Sequence, residues 1–79
     1  MQAGLLWFDN DPGRPISAKA TAAAERFTEK FGVAPNVCYV NPRSLKEGDL
    51  VIPFHEGQLR LTSANNILLN HFWIGYGDS

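Results

Sequence analysis

The period of apolar and polar positions changes several times along the chain, and each change predicts an element. Leu5, Leu6, Trp7 and Phe8 are apolar without a break. Unbroken apolarity over so short a run predicts a strand covered on both faces, as an interior parallel strand would be. Asp9-Asn10-Asp11-Pro12-Gly13-Arg14-Pro15 follows, dense in turn formers and stiffened by two prolines. From Pro15 to Phe31 the period lengthens: Ile16, Ala20, Ala23, Phe27 and Phe31 form one helical stripe with Ala24 beside it. Ser17, Thr21, Glu25, Thr28 and Glu29 lie largely away from that stripe. The alanine-rich middle favours helix and lets it approach a sheet closely. Gly32 suits the left-handed residue just past the helix end, and Pro35 prevents the helix from resuming.

Beyond the helix the pattern is that of strands. Asn36-Val37-Cys38-Tyr39-Val40 is rich in β-branched and aromatic residues and is stopped by Asn41-Pro42. Strand, helix and strand with short links predict a right-handed βαβ unit whose strands run parallel. Residues 43–49 predict a short helical turn and loop. Leu50-Val51-Ile52-Pro53-Phe54 reads as a strand at a sheet edge, because Pro53 has no N–H to give a ladder. His55-Glu56-Gly57 reads as a hairpin connection, and Leu59-Arg60-Leu61-Thr62 alternates as a strand with one solvated face. Residues 67–76 predict the last strand, with Trp73 on one parity and Phe72, Ile74 and Tyr76 on the other. The expected fold is α+β: a single domain, 1–79, of β-α-β-β-β order, its one helix on one face of a mixed sheet.

Length and charge narrow the possibilities. With 79 residues the chain has one small core, and a domain of that size buries only about 60% of the surface its unfolded form exposes. Small domains gain support from disulfides, metals or partners. Cys38 is the only cysteine, so an internal disulfide is excluded, and no Cys/His cluster has zinc-finger spacing. Association is the support that remains. The net charge of −1 speaks against a nucleic-acid footprint, which is basic. No apolar run approaches the roughly 18 residues of a membrane span. The first residues show neither a basic segment nor an apolar core of a secretory signal. Together with a single cysteine, this predicts a reducing, cytoplasmic setting.

Three features carry candidate chemistry. Asp9 and Asp11, two apart after an apolar strand, could share a hard divalent cation such as Mg²⁺ or Mn²⁺. The alternative is that both carboxylates cap the turn and favour the positive end of the following helix. His71 stands with Asn70 in an apolar segment and needs a hydrogen-bond partner if buried. It completes a candidate polar or metal site of Asp9, Asp11 and His71, or anchors a strand end. Cys38, flanked by Val37 and Tyr39, reads as a small buried hydrophobe, and His55 as a solvated loop residue.

The segments LLWFDNDP, APNVCYVNP and NHFWIG, in this order and spacing, are similar to a set of short uncharacterised bacterial proteins. That resemblance implies no activity. The apolar strand followed by Asp9-Asn10-Asp11 also resembles the first motif of haloacid-dehalogenase-type phosphotransferases. The resemblance implies a nucleophilic role for Asp9 and an acid/base role for Asp11. This chain departs from the family in its short length and in lacking the Thr/Val that follows the motif.

The aromatic load has the larger consequence. One helix covers one sheet face, yet the strands offer large side chains at both parities. The opposite face is then exposed, covered by the 41–49 segment and loops, or buried against another chain. The expected function is a non-enzymatic interaction module that forms a homodimer or docks to a protein partner, with Trp7, Tyr39 and Trp73 as anchors. The alternative is a small metal-dependent hydrolase or phosphotransferase using Asp9 and Asp11.

Overall fold

The alanine stripe builds the helix and sets how closely it sits on the sheet. A computed structural model describes residues 4–76. In it α1, Ile16–Phe31, turns Ala20, Ala23, Ala24 and Phe27 inward, each fully buried. The Pro15 carbonyl starts the helix, accepting from the N–H groups of Ala18 and Lys19 at 3.1 Å. Gly32 ends it at φ 78°, where its N–H donates to Thr28 O at 2.8 Å. Glycine meets that left-handed geometry without a Cβ penalty. Phe31, at the end of the stripe, is partly exposed and leans on Phe27 with ring centres 4.5 Å apart.

Five strands complete the domain: β1 (Gly4–Phe8), β2 (Val37–Val40), β3 (Leu50–Phe54), β4 (Gly57–Ser63) and β5 (His71–Gly75). A 3-10 turn, Pro42–Ser44, precedes β3. The strands form one mixed sheet in the order β1-β5-β2-β4-β3. β5 is antiparallel to both β1 and β2, β2 is parallel to β4, and β3 is antiparallel to β4. β1 and β2 therefore run the same way, as a βαβ unit requires, with β5 inserted between them.

The insertion has a local cause. After β4 the chain must cross the end of β2 to reach the far side. Ala64 N–H donates to Val40 O at 2.9 Å, and the Asn41 side-chain amide donates to Ile67 O at 2.8 Å. Residues 67–70 are used in this crossing, so the last strand starts at His71 rather than at 67. Asn70 makes the reversal at φ 65°, a left-handed conformation that Asn tolerates better than most residues.

The insertion also leaves β1 at an edge, so the expectation of an interior strand covered on both faces is corrected. Its apolar run conceals an alternation: Leu5 and Trp7 pack against the core, whereas Leu6 and Phe8 are 61% and 56% exposed. The second edge is β3, as Pro53 predicts. It joins β4 through a two-residue turn, His55-Glu56, with His55 at φ 55°. The helix-side core is made by Phe72 and Ile74 of β5, Cys38 and Val40 of β2, and Leu59 and Leu61 of β4, under the helix alanines and Phe27. Leu45, from the segment before β3, packs against this same core. The end of that segment reaches the other face, where the Thr62 hydroxyl donates to Asp49.

Candidate functional site

The sheet face away from α1 is built by register. Residues paired across antiparallel strands share a face. Phe8 pairs with His71, Leu6 with Trp73, and Tyr39 with Trp73. These five side chains form an apolar, aromatic half-face on β1, β5 and β2. The Tyr39 and Trp73 rings are 5.7 Å apart at 50°, and Phe8 and His71 are 5.0 Å apart at 55°. Both tilts suit the aromatic quadrupoles better than a sandwich would.

Trp73 lies flat because Gly4 has no side chain. A Cβ on Gly4 would fall inside contact distance of the indole at Cζ2, Cε2 and Nε1. The glycine thus makes room for the ring. A shallow cleft of about 280 Å³ opens between Tyr39, Trp73 and the turn at Ala64, Asn66 and Ile67.

The other half of this face is polar. Gln58, Arg60 and Thr62 alternate out of β4, and the Thr62 hydroxyl donates to Asp49 Oδ1 at 2.8 Å. Arg60 approaches Asp49 at 3.9 Å. A broader groove of about 710 Å³ borders Val37, Val51 and Arg60. It is open, and its charged lining groups among the described residues are Glu56 and Arg60.

The anchors read from the sequence divide between faces. Tyr39 and Trp73 stand on the open face. Trp7 is on the helix side against the core, with its indole Nε1 enclosed and without a hydrogen-bond partner among the described residues. The exposed apolar groups of β1 are instead Leu6 and Phe8. Sequence reasoning missed their parity because all four neighbours in the run are apolar. Gly4, two residues before Leu6, was the available signal: a small residue on the face that carries Trp73.

Asp9 and Asp11 form two successive turns. Asp9 Oδ1 accepts from Asp11 N–H at 2.9 Å, and Asp11 Oδ1 accepts from Gly13 N–H at 2.9 Å. These are Asx turns, in which the side chain stands in for a backbone acceptor. Asp9 Oδ2 also receives Arg14 Nη1 at 3.2 Å, and its carboxylate side chain is only 11% exposed. Lys19 Nζ donates to Asp9 O at 3.4 Å. Arg14 in turn donates to Ala18 O at 3.2 Å, which ties the turn to the first helical turn.

His71 lies at the same sheet end but on the open face beside Phe8. Its Nδ1 is 2.9 Å from Leu69 O, an acceptor that places the ring proton on Nδ1. Asp9 turns instead toward Arg14 at the helix start, so the fold does not bring Asp9, Asp11 and His71 together. Among the described residues no three His, Cys, Asp or Glu side chains gather closely enough to hold a metal ion. A cation taken by Asp9 and Asp11 would have to displace Arg14 and the Asx turns.

Cys38 is fully buried beneath the helix. Burial pushes its thiol from 9.0 to about 12, since a thiolate there would lose its hydration. The group is a packing residue with suppressed nucleophilicity. No helix among the described residues is long and apolar enough to cross a membrane.

No protein-family model, curated protein or solved structure matches this chain.

Proposed function

We propose that this domain is a non-enzymatic interaction module that self-associates through the apolar half of its open sheet face. The observation that supports this is the exposure of Leu6 and Phe8 beside Trp73 and Tyr39, on a face that α1 does not cover. Leu68 and Leu69, on the crossing loop that leads into β5, are 71% and 46% exposed and extend the apolar character at that sheet end. Contiguous apolar surface beyond a few hundred Å² marks interaction sites, and aromatic residues are enriched in interface cores. Association also supplies the burial that so small a core lacks.

Light scattering across a hundredfold concentration range tests the reading. The wild type is expected to approach about 17 kDa, twice the 8.7 kDa chain. Phe8→Asp is expected to remain a monomer with unchanged helix content, because Phe8 is outside the core. A wild-type monomer at every concentration would refute self-association.

A further inference from the structure

The two sheet edges are treated differently, and the difference points to how a second copy docks. Edge strands carry unpaired N–H and C=O groups, which soluble proteins guard with proline, charge or a covering element. β3 is guarded. Its hairpin closes on the pair Phe54–Gly57, and the alternation of antiparallel hydrogen bonding then turns Val51 and Pro53 outward. Pro53 places its missing donor on the free edge.

Among the described residues β1 has no such guard. Asp9 N–H donates to Asn70 O at 3.0 Å, in register with the β1–β5 pairing. That bond fixes the phase of the ladder: Leu5 and Trp7 turn their backbone groups toward β5, and Gly4, Leu6 and Phe8 turn theirs away. Residues 4–8 contain no proline and no charge. The same three residues that offer free backbone groups place Leu6 and Phe8 on the open face.

Taking from the reading above that the domain self-associates, but placing the contact at the free edge beside the open face, we infer that a second copy docks edge to edge, β1 antiparallel to β1, about a two-fold axis at Leu6. In that register Leu6 faces its own copy, and Gly4 faces Phe8 of the other chain. All three outward residues of each strand then find partners within Gly4–Phe8, whereas shifting the axis to Leu5 or Trp7 sets one of them opposite a residue outside that range. Large meets small at the Phe8–Gly4 positions, which brings each Phe8 ring beside the Trp73 indole that covers Gly4. No like charges oppose one another across the strands. The two five-stranded sheets become one of ten strands, with both helices on one side and one continuous aromatic face on the other. An edge of five residues buries less than the about 800 Å² per partner of a standard interface, so the dimer dissociates on dilution.

Hydrogen–deuterium exchange of the full chain, read amide by amide at two concentrations a hundredfold apart, tests the geometry alongside the mass. The Leu6 and Phe8 amides are expected to exchange at least about tenfold more slowly in the concentrated sample, because pairing protects them. Leu6→Pro, which repeats the outward proline that β3 already tolerates, is expected to raise the dissociation constant at least about tenfold. A dimer whose Leu6 and Phe8 amides stay unprotected would overturn edge pairing and leave association through the face standing. A monomer at both concentrations would overturn both. If Leu6→Pro does not fold, the wild-type exchange rates decide alone.

Discussion

Raising the pH should remove a defined part of the stability of this domain through one buried atom, the Cys38 sulfur. The thiol is fully enclosed, and its pKa stands at about 12 rather than 9.0 because the fold cannot solvate the thiolate. A raised folded-state pKa means the contribution is intact below pH 9 and lost as pH climbs toward 12. Linkage gives a slope of about 1.4 kcal/mol per pH unit within that window. The loss is then about 1 kcal/mol near pH 10 and about 3 kcal/mol near pH 11. Those are large fractions of the about 4–12 kcal/mol typical of a chain of this length.

Cys38→Ala isolates the effect, because every other group is the same in both proteins and cancels in the difference. At neutral pH the variant should be less stable by about 1–2 kcal/mol, the usual result of removing buried volume. Near pH 11 the order should reverse. The assay is urea unfolding followed by tryptophan fluorescence, at intervals from about pH 8 to about pH 11. A stability difference that stays constant across that range would refute the buried-thiol reasoning.

Other expectations are as direct. Gly4→Ala places a methyl inside the Trp73 indole, so the ring must lift from the sheet; a loss of about 1–3 kcal/mol is expected, with a shifted tryptophan emission, and unchanged emission would contradict the stacked position. Phe27→Ala empties the fully buried centre under α1 and should cost about 3–5 kcal/mol in denaturant unfolding. Asp9→Ala removes the acceptor for Asp11 N–H and the partner of Arg14; about 1 kcal/mol should be lost, against about half that for Asp9→Asn, which keeps an acceptor oxygen. Higher stability in Asp9→Asn would instead mark a strained, functional carboxylate. Titration calorimetry with Mg²⁺ or Mn²⁺ should show no binding tighter than millimolar, because Arg14 already neutralises Asp9.

Local chemistry was legible in the sequence wherever a segment could satisfy itself. The helix stripe, its end at Gly32, the turn-forming order Asp9-Asn10-Asp11 and the edge character announced by Pro53 each depend on neighbours within a few residues. The tertiary structure alone decided what depends on strands far apart in the chain. Whether residues 64–70 cross the end of β2 determines that β5 enters between β1 and β2. That insertion makes β1 an edge, turns Leu6 and Phe8 outward, sets Trp7 against the core on the helix side and sets Asp9 apart from His71. A run of four apolar residues carries no parity of its own, since every position fits either face. Only pairing with β5 assigns the faces, and pairing is a long-range choice made by the whole sheet at once.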